Sequence, residues 1–512
     1  PIFAYRGLLR RMPTDGEAVT AVARVQAGGF SGLAEDLLAL PAYEARFPAP
    51  SAPGGMAAQA IEDRATVRWV PPADPGVVLT GYVLRVLRDG APEGADRAVE
   101  PGATSATVTG LADGGHYAFS LSAHTADRDG PVATTPPVTI DVDVAWSTFQ
   151  GGPAHDGVQR HGTIPASPSF RWEADLDLPI QQVVVGDDRI FAVTESVGVG
   201  YEATGSSVYA LDPADGEVLW GPVIIPHGAY GEVELGYEAR RLFVANDGMR
   251  IQALDSRTGA ALWTRDLGVG ASSKGLTVAD GTMYVFDGVG LLALDASDGS
   301  DRWRVPTANA MGTPAADDSG IYVVQGCGAA MRVTAAGGTT WRSQPNCESG
   351  GHGEVTLAEG RLWPSGYYLQ GEQIRTQSIG TIVGQPLGIE APAVWDGTTV
   401  YDDRGVLRGT DTASGAVRWS RSGDGWSFGG SPVINAGRVY ARSGGLTDGL
   451  RVRSYDLATG TPAWNHAVLP DLAVAPPHSG SVIGDLVLGD GLLLVPVSMP
   501  WPDLRGSIVA YG

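Results

Sequence analysis

The stretch "VYALDPADGEVLW" occupies Val208–Trp220, and "IQALDSRTGAALW" occupies Ile251–Trp263. Both write Ala-x-Asp, a Gly four residues after the Asp, and a Trp four residues after the Gly. "LLALDASDGSDRW" at Leu291–Trp303 writes the pattern a third time. Five copies keep all three anchors: Asp212/Gly216/Trp220, Asp255/Gly259/Trp263, Asp295/Gly299/Trp303, Asp411/Gly415/Trp419 and Asp456/Gly460/Trp464. A weaker copy ends at Trp341 in "RVTAAGGTTW", and another, "YLQGEQIRTQSIG", has no Trp. Ahead of these copies stand an apolar strand, a tight turn and a second strand, as in "VVVGDDRIFAV", "LTVADGTMYVF", "AVWDGTTVYD", "VINAGRVYA" and "LVLGDGLLLV". Four short strands in about 40 residues is the size of one propeller blade. The Asp accepts backbone N–H bonds in the turn before the last strand, and the Gly supplies a left-handed backbone. The Trp lies between blades, where one indole buries roughly 150–250 Å². A single blade cannot cover that surface, whereas a closed ring can.

Closing strands fall at Trp220, Trp263, Trp303, Trp341, near Arg375, and at Trp419 and Trp464, which makes seven. The chain ends on "GSIVAYG", a third strand with no fourth, while "FRWEAD" around Trp172 is a fourth strand with no blade before it. Pairing the two removes both exposed edges. The expectation is a mainly β protein whose residues 144–512 form an eight-bladed β-propeller, with seven blades as the fallback.

The Ala-x-Asp-x-x-x-Gly-x-x-x-Trp repeat, entered through "WSTFQGGPAHDG" (Trp146–Gly157), resembles the quinoprotein-type, PQQ-repeat β-propeller superfamily. That resemblance implies the fold far more than any activity, because the superfamily holds both pyrroloquinoline quinone (PQQ) dehydrogenases and non-catalytic scaffolds. Its enzymes hold the quinone between two adjacent cysteines and a Trp face, beside calcium and an Asp base. Here Cys327 and Cys347 are twenty residues apart, and no C-x-x-C-H haem motif occurs.

The N-terminal third is different. Residues 1–48 read as a small helical module, with a capping box at Thr14 and Glu17, a stop at "AGGF" and Pro41 in a first-turn position. The pattern "AYRGLLRRMPTDGE…GGFSGLAEDLLALPAYEARF" resembles phycobilisome-linker-like repeats of secreted bacterial proteins. It begins mid-pattern, so the natural N-terminus is expected to have been removed or to lie upstream. After the linker "FPAPSAPGG", residues 51–143 alternate apolar and polar positions with turns every eight to twelve residues. With Trp69 and Tyr82 at core positions and Leu111 and Tyr117 placed as a tyrosine corner, this segment resembles a fibronectin type III domain, a β-sandwich. "DRDG" (Asp127–Gly130) reads as a turn, with calcium as the alternative.

A net charge of −22 argues against nucleic acid and anionic membrane surfaces. No apolar run reaches about 18 residues, so no transmembrane helix is expected. Cys327 and Cys347 lack metal-ligand spacing and read as a disulfide, which implies an extracytoplasmic setting; two unpaired thiols are the alternative. There is no G-x-S-x-G elbow, phosphate loop or H-E-x-x-H. His227, His352 and His478 each precede an innermost strand, as hydrogen-bonded residues of the channel mouth or as a shared metal site.

Aligning the turns places Gln182, Glu232, Lys274, Thr313, Glu354, Ser431 and Asp485 at equivalent points around the central channel. Lys274, the only lysine in the chain, stands level with two glutamates. These seven either bind a ligand or line a hydrated channel whose charges pair. A register error of one residue would turn them away. The leading expectation is a secreted or cell-surface scaffold whose propeller binds a protein or glycan partner without a cofactor. A PQQ- and calcium-dependent alcohol or sugar dehydrogenase is one alternative. A carbohydrate-binding protein is another, with Trp426, Tyr367, Tyr368 and Trp501 as stacking candidates.

Overall fold

The computed structural model describes residues 2–40, 49–61, 64–74, 78–111, 115–126, 128–140, 146–195, 205–226, 233–246, 250–267, 275–287, 289–307, 312–324, 330–343, 354–365, 382–383, 390–422, 430–443, 451–468, 482–498 and 505–512. The chain folds as two compact units, Pro1–Val142 and Asp143–Gly512.

In the first unit the helix Asp15–Leu38 starts at the capping box: Thr14 Oγ1 accepts the Glu17 N–H at 3.3 Å, and Glu17 accepts the Thr14 N–H at 2.8 Å. The expected stop at "AGGF" falls at Gly29, whose φ of 73° and ψ of −176° are non-helical. A second helical stretch follows to Leu38, and its Leu33 and Leu37 bury with Tyr5, Leu9 and Ala21. The rest of the unit has a three-stranded sheet (Gly54–Ile61, Arg64–Val70, Ser105–Val108) and a larger sheet built on Gly81–Arg88 paired with His116–His124. Inward residues alternate along Arg64–Val70 and Gly81–Arg88, and both sheets feed one core. Trp69 meets Tyr82 edge-on there at 5.4 Å, beside Leu111 and Tyr117. Pro41 and Asp127 lie outside the described residues.

The described residues of the second unit contain eight sheets, lettered here A to H in chain order. They begin with the innermost strands Ile180–Gly186 (A), Val233–Glu238 (B), Leu276–Ala279 (C), Ala315–Asp317 (D), Glu354–Ala358 (E), Ala393–Trp395 (F), Val433–Asn435 (G) and Val487–Gly489 (H). Each innermost strand touches those of the preceding and following sheets, and H touches A. Sheet H takes Phe170–Leu176 as its outer strand, antiparallel to Gly506–Tyr511, with Trp172 opposite Ala510. The chain's end is thereby joined to the start of the repeat region.

The repeat residues explain how neighbouring sheets dock. In each turn the Asp backbone carbonyl accepts the Gly N–H, at 2.8 Å for Asp212–Gly216 and for Asp255–Gly259. The Asp side chain also accepts a local N–H, as Asp255 Oδ1 does from Thr258 at 2.9 Å. The indole of one sheet then covers the glycine of the next: Trp172 over Gly216, Trp220 over Gly259, Trp263 over Gly299, Trp303 over Gly337 and Trp419 over Gly460. Each of those indoles donates its N–H to a carbonyl of the covered turn, such as Trp220 to Ser256 O at 2.9 Å. The anchor Gly is needed twice, for a positive φ and because a Cβ would strike the ring. Gly415 follows sheet E, whose repeat has lost its Trp, and a Cβ there would meet nothing within 4 Å among the described residues. Trp464 packs instead on Tyr511 of sheet H, with ring centroids 5.5 Å apart.

Trp341 breaks the hydrogen-bonding rule: its buried Nε1–H has no partner among the described residues. Trp220→Phe, which orphans the buried Ser256 carbonyl, should therefore cost about 1–2 kcal/mol more than Trp341→Phe. Urea unfolding of the two variants at pH 7 measures the difference.

Candidate functional site: the hub

The centre of the ring is occupied by the chain itself. Residues 146–159, just ahead of sheet A, pass from sheet to sheet in chain order. Trp146 exchanges both backbone hydrogen bonds with Val185 of sheet A, each at 3.0 Å. Ser147 O accepts the N–H of Tyr237 (B) at 2.7 Å, and Thr148 Oγ1 donates to Leu276 O (C) at 2.8 Å. The carbonyls of Pro153, Ala154, Asp156 and Gly157 accept N–H groups from Ala316 (D), Leu357 (E), Val394 (F) and Ile434 (G) at 2.7–2.9 Å. Gln159 Nε2 donates to Leu488 O (H) at 3.2 Å. One short segment thus satisfies innermost-strand backbone groups of all eight sheets, groups that burial would otherwise leave unpaired.

His155 is fully buried in this segment. Its Nδ1 pairs with Val355 O at 3.0 Å and its Nε2 with Thr277 Oγ1 at 3.1 Å, linking sheets E and C across the hub. Burial drives its imidazole down to about 4, against the smaller upward pull of the Val355 carbonyl. The fold favours the neutral ring, so its contribution is complete above the unfolded-state value near 6.5 and is lost as pH falls toward about 4. Stability should drop by ~3 kcal/mol between pH 6.5 and 4 through this residue. His155→Asn, which suits the residue's φ of 55°, should lack that part of the slope in urea unfolding at stepped pH. Next to it, burial pushes the Asp156 carboxyl up against the pull of Arg160.

Polar side chains of the innermost strands also tie neighbouring sheets together. Gln182 of sheet A accepts the Leu235 N–H of sheet B at 2.6 Å and donates to the Leu235 carbonyl at 3.3 Å. The Glu234 carboxylate of sheet B accepts the N–H groups of Gly275 and Leu276 at 2.8 and 2.7 Å. Thr277 Oγ1 of sheet C lies within hydrogen-bond reach of both Pro314 O beside sheet D and His155 Nε2. With the neutral ring donating from Nδ1 to Val355 O, the hydroxyl's single proton is shared between those two acceptors.

Between the hub segment and the starts of the innermost strands lies a cavity of about 220 Å³. Trp146, Thr148, Phe149 and Gln150 form one wall. The ring contributes Gln182, Glu234, Thr313, Glu354 and Asp485, so the structure brings together four of the seven residues aligned from sequence. Ser431 does not line it; that residue is buried elsewhere, its hydroxyl without a partner among the described residues. Asp485 pairs with Arg442 at 3.8 Å. Glu232, Lys274, His227, His352, His478, Cys327, Cys347, Trp426, Tyr367, Tyr368 and Trp501 lie outside the described residues. Glu234, in the strand Val233–Glu238, was not among the aligned residues.

Gln150 was also missed. Its side chain is 2% exposed, its backbone is left-handed at φ 54°, and neither amide atom has a partner among the described residues. A Gln between a Trp and two glycines, in a stretch with no strand or helix period, was the available signal.

The described lining carries three carboxylates and no lysine or arginine. Among the described residues that set offers the three carboxylates of PQQ no cation. No grouping of three or more His, Cys, Asp or Glu suited to a metal occurs among the described residues.

Comparison with known proteins adds the following. Residues 246–359 and 336–491 match the family model described as outer membrane protein assembly factor BamB, and residues 51–140 match the fibronectin type III domain. The chain is 24% identical over 445 residues to the tetrathionate hydrolase of Acidithiobacillus ferrooxidans, covering 77% of this chain and 78% of that protein. It is 30% identical over 190 residues to the serine/threonine-protein kinase AfsK of Streptomyces coelicolor, covering 36% of this chain and spanning only 18% of the kinase. A europium-containing methanol dehydrogenase superposes with a TM-score of 0.51 at 13% identity, covering 72% of this chain and 98% of that structure; this is a likeness of fold. The chain therefore carries a fibronectin type III domain followed by a β-propeller of PQQ-type repeats, the kind that the BamB family model describes.

Proposed function

We propose that this is an extracytoplasmic bacterial binding protein whose eight sheets are the blades of a closed, non-catalytic propeller serving as a platform for a protein partner. On this reading the fibronectin type III domain (51–143) is a spacer, the helical module (1–48) an attachment element and residues 144–512 the platform. The observation that carries it is the use of hub chemistry for architecture. Gln182, Glu234, Thr277 and His155 are engaged in bonds between sheets, which leaves the faces of the ring for recognition. Family likeness supports it too, since the BamB model is described as an assembly factor.

Two measurements test the proposal. Cross-linking and purification of the full chain from the envelope or medium of its producing cell should recover a stoichiometric protein partner; recovery of none overturns it. Reconstitution with PQQ and calcium should give no dye-linked oxidation of alcohols or sugars. Turnover in that assay would replace the platform with a dehydrogenase.

A further inference from the structure

We propose that the fibronectin type III domain carries an acyl-transfer site for short-chain activated carboxylic esters. Ser122 is its nucleophile, His124 the base, and Asp129 the residue that positions His124. The site lies wholly within the first unit, so it goes beyond the platform reading of the propeller and does not depend on it.

These side chains form a hydrogen-bonded chain with the polarity that nucleophilic catalysis needs. Asp129 Oδ1 lies 2.6 Å from His124 Nδ1, and Ser122 Oγ lies 3.1 Å from His124 Nε2. A carboxylate can only accept, so the Asp129 bond holds the proton of the neutral ring on Nδ1. Nε2 then keeps its lone pair and accepts the Ser122 hydroxyl proton, the arrangement that activates a serine. The fold fixes this geometry. Ser122 and His124 stand two residues apart in the strand His116–His124 and share one face, while Leu121 and Ala123 point into the core. Gly81–Arg88 pairs with that strand along its length, and the Thr80 N–H and hydroxyl both donate to the His124 carbonyl, at 2.8 and 3.2 Å. A turn returns Asp129 to His124. Within it the Thr125 N–H donates to Arg128 O and the Gly130 N–H to Ala123 O, each at 2.8 Å. A Cβ on Gly130 would lie 2.6 Å from Pro50 O, so the turn is seated closely against the chain ahead of the first strand.

The surroundings select the substrate. The His124 side chain is 22% exposed, which leaves it reachable yet held. Val83 stands directly opposite Ser122 on the neighbouring strand, and Gly81, with no side chain, stands opposite His124. A short acyl chain can rest on the valine while the leaving group passes over the glycine. An open sheet face adds little to stabilise the oxyanion, a service worth ~10²–10³ in rate where a cleft supplies fixed donors. Esters with good leaving groups are therefore the class that Ser122 can attack. Asp129 is 79% exposed, so solvent screens its charge and its part is to select the tautomer. In the first step Ser122 Oγ bonds to the carbonyl carbon as its proton passes to Nε2, and the imidazolium gives that proton to the departing alcohol as the C–O bond breaks. Water repeats the sequence: its oxygen bonds to the acyl carbon, its proton passes to Nε2 and on to Ser122 Oγ, and the acid leaves.

The test treats the full chain with p-nitrophenyl acetate, follows release of p-nitrophenol and maps the acetyl groups by peptide mass spectrometry. Acetyl should appear on Ser122, and Ser122→Ala should lower the initial release roughly tenfold or more. His124→Gln should slow acetylation of Ser122 to a similar degree. Asp129→Asn, whose amide can donate to Nδ1 and so place the ring proton on Nε2, should slow it about tenfold, and Asp129→Glu, which keeps the acceptor, should restore most of the rate. The acetyl map of the unsubstituted chain decides the matter even if a variant does not fold. Acetyl on Lys274, the chain's only lysine, with none on Ser122 would overturn the proposal. Release that survives Ser122→Ala would overturn it too, because another group would then be the nucleophile. So would acetylation of Ser122 at an unchanged rate in His124→Gln.

Discussion

Gly259→Ala should destabilise the propeller by about 2–5 kcal/mol, while Gly415→Ala costs only about 1–2 kcal/mol, although the two glycines hold the same place in the repeat. Both have positive φ, 70° and 73°, so each alanine carries the same left-handed backbone penalty. At Gly259 the new methyl also strikes an indole, with Trp220 Cε3 2.7 Å away; at Gly415 it meets nothing within 4 Å among the described residues. The indole cannot retreat, because its N–H is fixed on Ser256 O and its ring packs against Phe191. Urea unfolding of the two variants side by side measures the difference. Equal losses would mean that the backbone term alone sets the glycine requirement.

A larger effect is expected at the hub. A chain lacking residues 146–159 should fail to form a cooperatively folded propeller. Removing the segment takes away the acceptors of the Val185, Tyr237, Ala316, Leu357, Val394 and Ile434 N–H groups, all on innermost strands. Each orphaned buried donor costs about 1–3 kcal/mol, so six together match or exceed the ~5–15 kcal/mol by which proteins are typically stable. Circular dichroism and the sharpness of urea unfolding, in the deleted chain and the full one, read the outcome. A cooperative transition of unchanged midpoint in the deleted chain would show that the ring does not need its centre filled.

The two predictions mark where sequence is a good guide and where it is not. Asp, Gly and Trp at fixed spacing are legible because each copy solves the same local problem, one turn and one ring-to-glycine contact, and repetition makes the solution visible. The pairing of "FRWEAD" with "GSIVAYG" is legible for a related reason: two incomplete units have complementary deficits. The alternation along Arg64–Val70 and Gly81–Arg88 likewise shows through, because one face of each sheet is buried.

The hub segment is written once and has no period. Its backbone carbonyls do most of the bonding, and carbonyls are the same for every residue type. Nothing in "WSTFQGGPAHDGVQ" says which N–H each of them meets. The same limit explains Glu234: its bonds to the Gly275 and Leu276 N–H groups join two sheets, and no single repeat unit shows which backbone donors a neighbouring unit will offer. The break at Gly29 is legible because two glycines in succession end a helix locally, whatever Leu33 and Leu37 pack against beyond it.

The thread through the middle also sets a tally. Leaving His155's added bonds to E and C aside, it reaches A, B, C, D, E, F, G and H in the order the ribosome makes them. A gene that gained or lost one unit by recombination would encode a ring with one spoke too many or too few for its axle. The length of that single strand of chain therefore holds the number of units constant, even where an individual unit, such as E without its tryptophan, has drifted far from the pattern.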